Sequence, residues 1–286
     1  MAGLGAVITA IVTPFDEQLR VDEDAFVSLL HHLAANGSDG FVVCGTTGEA
    51  STLTDEEQFG LVELAVRERP EGVTIIAGAG SNDTHHAVAL TERMSEIGAD
   101  AVLSVTPYYN RPSRRGILAH FGAVARASAV PVVVYNIPQR TGTDMPNDLL
   151  AELAEIERIE YVKQSNEANL AHVPGLHVYA GNDDLFARVL DMGEPGGILV
   201  ASHIVGPQMR RMVDEPVNRA AIDRSLHDVY RTLFLTASPT CTKAALELLG
   251  HRVGGLRLPL VEATASERDA VREMLVRHHL LEPATA

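Results

Sequence analysis

Lysine is almost absent from this chain of 286 residues. Of its 23 basic side chains only two are lysines, Lys163 and Lys243, and the others are arginines. Acidic residues outnumber basic ones by 38 to 23, which leaves a formal net charge of -15. Such a surface repels phosphate backbones and anionic lipids, so neither a nucleic acid nor a membrane is the expected partner.

Cysteine is also scarce, since the chain has only Cys44 and Cys241. Two cysteines without a CxxC spacing exclude a disulfide framework and a cysteine-based zinc site, and they suit a reducing cytoplasm. The 12 histidines show no HxH or HExxH spacing, so no metal site is expected. The apolar N-terminal stretch is too short to span a bilayer and lacks the basic start of a signal peptide, which predicts a first buried strand.

What the chain does have is a regular alternation of apolar, β-rich runs with amphipathic helical patterns. Several runs are continuously apolar, as in parallel strands that are buried on both faces. Eight such alternations predict an α/β fold, a closed (β/α)8 TIM barrel. The predicted strands cover residues 6–15, 40–45, 73–80, 99–107, 130–138, 159–165, 176–183 and 196–203.

Helical patterns fill most of the intervals, and one of them opens with the capping-box order Thr54-x-x-Glu57. Only one or two turns fit between strands six and seven, at 167–173. The other predicted helices cover 22–37, 54–69, 83–98, 114–128, 146–156 and 184–193. After residue 215 the pattern is helical only, which predicts a catalytic barrel over 1–214 and a C-terminal helical domain over 215–286.

Lys163 lies near the end of the sixth predicted strand, where barrels of this kind carry their functional residues. Side chains alternate along a strand, so Lys163 is expected to share one face with Ile159 and Tyr161. The ordinary alternative is an amine that reaches solvent from the strand end. A desolvated amine can instead lose its proton and attack a carbonyl, which a guanidinium cannot do. Lys163 is therefore a candidate Schiff-base residue, whereas Lys243, at the start of a helical segment, is interpreted as a surface or interface charge.

Imine chemistry also needs a proton donor and acceptor, and Tyr135, near the end of strand five, is a candidate. Thr46 and Thr47 supply hydroxyl and backbone N–H groups in a glycine-flanked turn, which could hold a carboxylate or relay a proton. Arg140 follows strand five in a loop, where a guanidinium could bind a carboxylate through two parallel hydrogen bonds. The structural alternatives are a buried aromatic residue, ordinary turn chemistry and an exposed loop arginine.

An ordered set of motifs resembles the dihydrodipicolinate synthase and N-acetylneuraminate lyase family of class I pyruvate aldolases. The resemblance covers essentially the whole chain, including the tail at 242–262. The motifs are GTTGE (45–49), TPYYNRP (106–112), YNIPQRTG (135–142), VK (162–163), AGNDD (180–184) and GGILV (196–200). It implies a barrel with a C-terminal helical domain, assembled as a homotetramer of tight dimers. It implies no cofactor, because Lys163 would form a covalent imine with pyruvate.

The resemblance also implies catalytic roles for individual residues. Tyr135 would be the proton donor and acceptor at the imine formed by Lys163. Thr47 would link two tyrosines in a proton relay. Tyr109 would be the second of these tyrosines and would enter the active site of the neighbouring subunit.

For substrate binding, the resemblance implies that the backbone at Thr46 and Thr47 holds the pyruvate carboxylate. Gly181 and Ile198 would line the pocket. Arg140 would bind the carboxylate of the second substrate, an aldehyde.

Arg140 and the tail GLRLPLVE (255–262) favour a synthase-type member that condenses pyruvate with aspartate semialdehyde in lysine biosynthesis. The alternatives are another aldolase or dehydratase of the family that acts on a 2-keto-3-deoxy sugar acid, or a barrel that binds 2-keto acids without catalysis. The chain departs from the family pattern at Gln164, at His203 and in the short segment 166–175, all expected near the mouth of the barrel.

Overall fold

The computed structural model describes residues 3–283, and its eight strands form one closed parallel barrel in sequence order. The predicted (β/α)8 barrel is therefore confirmed, with strands shorter than the apolar runs that predicted them. The strands are β1 Val7–Ala10, β2 Gly40–Val43, β3 Thr74–Gly78, β4 Ala101–Val105, β5 Val132–Asn136, β6 Ile159–Gln164, β7 His177–Ala180 and β8 Gly196–Leu199.

Two hydrophobic layers explain why the strands are apolar on both faces. Val133, Tyr135 and Ile137 point into the barrel and pack with residues such as Ile8 and Ile198. The intervening residues, Val132 and Val134 among them, face outward and pack against the helices. Val133, Tyr135 and Ile137 thus share the face that lines the barrel interior.

An irregularity in the pairing of β5 with β6 changes one predicted face. Val132 pairs with Ile159, but the next residue, Val133, pairs with Tyr161, so the register shifts by one residue. Ile159 consequently packs in the outer layer while Tyr161 packs inside the barrel. The prediction that Ile159 shares the face of Lys163 is wrong, because a bulge reverses the alternation at that point.

Six of the helices that surround the barrel agree with the predicted segments. The Thr54–Glu57 capping box is confirmed, since each residue's backbone N–H donates to the side chain of the other at 3.0 and 3.2 Å. Between β6 and β7 there is only a short 3-10 turn, Glu167–Asn169. The helices are α1 Glu23–Ala35, α2 Asp55–Glu68, α3 Thr84–Ile97, α4 Arg114–Ala127, α5 Pro138–Thr141, α6 Asn147–Ala154 and α7 Phe186–Asp191.

Two barrel helices were not predicted: the four-residue α5, Pro138–Thr141, and α8, Ser202–Asp214, which follows β8. The predicted strand at 196–203 runs too far, because the observed strand ends at Leu199 and residues from Ser202 onward are helical. Pro207 lies inside this helix and Val205 has non-helical backbone angles, with φ -121 and ψ 34. The segment is two helical pieces that meet at a kink at Val205, with Pro207 in the first turn of the second piece, so the regular apolar periodicity is broken there.

Three further helices follow Asp214, as predicted: α9 Arg219–Leu233, α10 Thr240–Leu248 and α11 Ala265–Arg277. Their buried residues, such as Leu226 and Leu246, belong to the same hydrophobic cluster as the outer layer of the barrel. The division into domains at residues 214 and 215 stays a prediction. None of the helices within 3–283 is long and apolar enough to cross a membrane.

Lys243 corrects another prediction. Its side chain is 2% exposed and forms an ion pair with Glu49, so it is not a surface charge. The helical pattern placed Lys243 correctly on α10 but could not indicate which face of that helix the barrel covers.

Candidate active site

A pocket opens at the carboxyl ends of the strands, where a barrel of this kind carries its active site. Its empty volume is about 460 Å³, including the open mouth. Six of the residues predicted from the sequence line it together: Thr46, Thr47, Tyr135, Arg140, Lys163 and Gly181.

Lys163 projects from β6 into this pocket and is only 6% exposed. Its strand neighbours in the ladder are Tyr135 on β5 and Tyr179 on β7. The Lys163 Nζ lies 4.3 Å from the centroid of the Tyr135 ring. The alternative of an amine that reaches into solvent is therefore wrong. The amine instead faces the ring of Tyr135, whose phenol is the predicted proton donor.

The floor of the barrel below the amine is aromatic and neutral. Tyr179 is fully buried, and its hydroxyl donates a hydrogen bond of 3.0 Å to the carbonyl oxygen of Gly5. Burial raises the pKa of the Tyr179 phenol. Burial likewise raises the pKa of Tyr161, whose ring centroid lies 6.0 Å from that of Tyr179. Both phenols therefore stay protonated, and their rings pack in the barrel interior beneath the Lys163 amine.

The turn that carries Thr46 and Thr47 is held in a strained conformation. Cys44 before it and Glu49 after it both have φ 56, in the left-handed region that non-glycine residues rarely adopt. The Glu49 N–H donates to the Thr46 carbonyl oxygen at 3.1 Å. Thr47 is 5% exposed, whereas Thr46 is exposed at the pocket. Strain of this kind persists only where the surroundings over-determine it, which is typical of functional sites.

Arg140 lies on the short helix α5 at the rim of the pocket, where its guanidinium is exposed. Beneath it, the Asn136 amide donates to Asp144 Oδ1 at 2.9 Å and to Gln164 Oε1 at 3.1 Å. These bonds join β5, β6 and the loop after α5 on the outer side of the barrel. Gln164 is the last residue of β6, near the mouth as expected, and its buried side chain links the two strands.

Asp183, in the turn after β7, is a buried residue whose position next to the pocket sequence reasoning missed. Its Oδ1 accepts hydrogen bonds of 2.9 Å from the backbone N–H groups of Val200 and Ala201, which fixes the turn after β8. Burial raises the pKa of Asp183 to about 6, although these two bonds and the charge of Lys163 act in the opposite direction. The motif AGNDD contained this residue but gave no sign of which aspartate is buried.

The C-terminal helical region also reaches the pocket, through Phe234 and Ser238. Nothing in the sequence indicated this, because the contact joins residues far apart in the chain. Two predicted residues do not line the pocket. Ile198 is fully buried in the barrel interior, and Tyr109 is 90% exposed with φ 72.

His203 follows β8 at the same end of the barrel, as expected, but its side chain is buried. It is 3% exposed in the first turn of α8. Its Nδ1 lies 2.8 Å from the Val200 carbonyl oxygen, and its Nε2 lies 3.2 Å from the Val12 nitrogen. The first contact needs a donor and the second an acceptor, so the ring is a neutral structural link between the ends of β1 and β8.

A buried primary amine beside a phenol and two threonines, at the carboxyl end of a closed parallel barrel, defines the class: a candidate imine-forming enzyme. Residues 3–278 match the model of the dihydrodipicolinate synthetase family. The chain belongs to this family, which confirms the resemblance seen in the sequence.

Relatives with known names are similar to this chain over nearly its full length. The chain is 41% identical over 289 residues to the 4-hydroxy-tetrahydrodipicolinate synthase of Heliobacterium modesticaldum, with 96% of each chain covered. It is similar to the crystal structure of the enzyme from Cyanidioschyzon merolae with lysine bound, at 39% identity and a TM-score of 0.93, covering 97% of this chain and 99% of that one. The chloride-inhibited enzyme of Acinetobacter baumannii, complexed with pyruvate, gives 32% identity and a TM-score of 0.94, covering 98% and 100%.

Proposed function

We propose that this chain is a Schiff-base lyase that condenses pyruvate with L-aspartate 4-semialdehyde, the reaction of a 4-hydroxy-tetrahydrodipicolinate synthase. The observation that supports this most directly is the buried Lys163 amine, 4.3 Å from the centre of the Tyr135 ring and open to the pocket. The names of the relatives support the choice of this reaction within the family.

In the proposed reaction the Lys163 nitrogen adds to the ketone carbon of pyruvate. The carbinolamine then loses water to give an imine, and loss of a methyl proton converts the imine to an enamine. Each of these steps moves a proton, so a positioned acid–base group is needed. Tyr135 is the group whose ring lies closest to the amine in this arrangement, and Thr47, in the same pocket, can pass the proton on. The enamine carbon then attacks the aldehyde.

Binding of the two carboxylates is assigned to opposite sides of the pocket. The turn at Thr46 and Thr47 offers hydroxyl and N–H groups to the pyruvate carboxylate. Arg140, at the rim, can bind the carboxylate of the aldehyde through two parallel hydrogen bonds. Gly181 has no side chain, so the backbone of β7 can come close to the bound substrate.

No cofactor is needed for this chemistry, because the lysine itself supplies the covalent electron sink. We further propose that the enzyme works in the cytoplasm. Both cysteines are free and buried, which suits a reducing compartment.

We propose that the active unit is a homotetramer of tight dimers. Tyr109 supports this, since a 90% exposed tyrosine held at φ 72 has a defined direction but no covering on its own chain. In a dimer its phenol would reach the neighbouring pocket and complete the relay through Thr47. An obligate monomer with full activity would contradict this role.

The decisive experiment is reduction with borohydride in the presence of pyruvate, followed by peptide mapping. The chain has only two lysines, so the adduct can lie only on Lys163, on Lys243 or on the terminal amine. We expect it on Lys163, and Lys163→Arg should abolish it while the circular dichroism spectrum is unchanged. An adduct elsewhere, or none, would contradict the proposed chemistry.

A panel of aldehydes then tests the second substrate. Turnover of pyruvate with aspartate semialdehyde supports the synthase. Trapping without such turnover, but with cleavage of a 2-keto-3-deoxy sugar acid, would assign the chain to another activity of the family. Trapping without turnover of any aldehyde or sugar acid would support a binding protein.

A further inference from the structure

The second lysine of the chain is buried as deeply as the first. Lys243, on α10, has a side chain that is 2% exposed, and its Nζ lies 2.7 Å from Oε1 of Glu49, whose side chain is 0% exposed. Burial lowers the pKa of the Lys243 ammonium, and the Glu49 carboxylate opposes that shift. The contact joins the C-terminal helical region to the last residue of the motif GTTGE.

Other groups complete the surroundings of this ion pair. The Lys243 ammonium also donates to the Gly255 carbonyl oxygen at 2.7 Å and lies 4.3 Å from the centroid of the Phe15 ring. The other carboxylate oxygen of Glu49 accepts a hydrogen bond of 3.1 Å from the Arg257 backbone N–H. Two separate segments of the C-terminal region therefore converge on one carboxylate.

Glu49 is tied equally closely to the turn that lines the pocket. Its own N–H donates to the Thr46 carbonyl oxygen at 3.1 Å, and it adopts φ 56. The preceding carbonyl oxygen, that of Gly48, accepts a bond of 2.7 Å from the Thr13 hydroxyl. A displacement of the Glu49 side chain would therefore move the backbone at Thr46 and Thr47.

Stability alone is a poor explanation for this arrangement. Charges that are removed from water carry a large desolvation cost, and well-packed apolar residues in place of a buried ion pair are often neutral or stabilising. Unlike apolar side chains, the ion pair fixes the orientation of the Glu49 carboxylate, because the carboxylate must point at both the Lys243 ammonium and the Arg257 N–H.

We propose that Glu49 and Lys243 are positioning residues, through which α10 sets the geometry of the Thr46–Thr47 turn and so the affinity for the 2-keto acid. This inference rests on the proposed function, in which that turn binds the pyruvate carboxylate. Neither residue touches the substrate; both act through the backbone of the turn.

The test uses the full-length enzyme and two variants. Lys243→Met alone would leave Glu49 buried without a cation, and such a loss can prevent folding. The double variant Glu49→Gln with Lys243→Met removes both charges together. The single variant Glu49→Gln is gentler, because its amide oxygen can still accept from Lys243 or from the Arg257 N–H.

The matched control is a second ion pair on the same helix. Glu247 on α10 lies 2.8 Å from Arg268 on α11, with side chains 36% and 43% exposed. The double variant Glu247→Gln with Arg268→Gln removes that pair without touching the GTTGE turn. Its pyruvate KM and kcat should stay within about twofold of the parent enzyme, since an exposed pair contributes little.

Three measurements distinguish a positioning role from an effect on folding. They are the pyruvate KM, kcat and the yield of trapped imine at saturating pyruvate. We expect the charge-free double variant to raise pyruvate KM by about tenfold, the effect of one misaligned hydrogen bond to a charged group, with kcat and trapping yield within about threefold. Glu49→Gln should raise KM in the same direction but less.

A structural role alone would lower kcat and trapping yield in proportion to the folded fraction while KM stayed constant, and that result would overturn the proposal. So would an unchanged KM in both variants. If the proposed function itself is wrong, the parent enzyme will show no pyruvate adduct on Lys163. That result differs from the two above, and the positioning role would then be withdrawn together with the proposed function.

Discussion

His203 gives the most quantitative test of the structure. The imidazole is 3% exposed and bridges the Val200 carbonyl oxygen and the Val12 N–H, which requires one protonated and one bare ring nitrogen. A second proton would break the contact with Val12 and bury a charge. Burial therefore lowers the pKa of His203 from 6.5 to about 4. The charge of His251 lowers it further, and the Val200 contact opposes both.

The direction of the pH effect follows from which state binds more protons. Between about pH 6.5 and pH 4 the unfolded chain is protonated at His203 while the folded protein is not, so acid favours unfolding. The contribution of His203 is complete above pH 6.5 and is lost as the pH falls towards 4. The full shift corresponds to about 3 kcal/mol, of which about 2 kcal/mol is lost by pH 5.

The measurement is urea unfolding of the parent protein and of His203→Gln, at about pH 7.5 and about pH 5 and at one protein concentration. Glutamine does not titrate, so the stability of the parent relative to this variant should fall by about 2 kcal/mol between the two pH values. His85→Gln is the control, because the His85 side chain is exposed. A difference that stays constant within about 0.5 kcal/mol would refute the neutral, buried state of His203.

Two further predictions concern the pocket. In Gly181→Ala the new methyl group would collide with Ser165 Oγ and lie 2.9 Å from the Gln164 carbonyl carbon and oxygen, so we expect a loss of about 1–3 kcal/mol in urea unfolding together with weaker pyruvate trapping. The matched control is Gly60→Ala on α2, where a methyl group would enter open space, and it should increase the free energy of unfolding by about 0.5–1 kcal/mol. Equal effects of the two substitutions on the free energy of unfolding would show that β6 does not restrict Gly181. Tyr135→Phe retains the ring beside the Lys163 amine but removes the hydroxyl, so steady-state kcat should fall by about 10²–10⁴, and an unchanged kcat would remove Tyr135 from the proton transfers.

Local patterns were sufficient for the barrel and for much of the pocket. Parallel strands buried on both faces produce continuous apolar runs, so all eight strands were predictable. Because functional residues collect at the carboxyl ends of such strands, the sequence alone predicts that Lys163, Tyr135 and Thr47 lie together. The prediction of Lys163 needed one further fact, the near absence of lysine elsewhere in the chain.

Features that depend on contacts between distant segments were not predictable. Phe234 and Ser238 reach the pocket only because α9 ends beside it, and no pattern at those positions reports that. Ile159 was assigned to the wrong face, since a register shift depends on the partner strand. The helix α8 was missed because the kink at Val205 divides it into two short pieces, neither of which has a long local helical pattern.

The two lysines together explain why this arginine-rich chain retains the smaller cation at two places. At Lys163 the reaction needs an amine that can be neutral and nucleophilic, which a guanidinium does not provide. At Lys243 the ammonium fits between the Glu49 carboxylate, the Gly255 carbonyl oxygen and the Phe15 ring, whereas a planar guanidinium is larger and would extend beyond the carboxylate. The neighbouring Arg257 has room to spread its guanidinium towards Glu57 and the Leu19 carbonyl oxygen, at 2.7 Å each. Lysine is therefore kept where a compact or deprotonatable cation is required, and arginine occupies the sites that accept a permanent, planar charge.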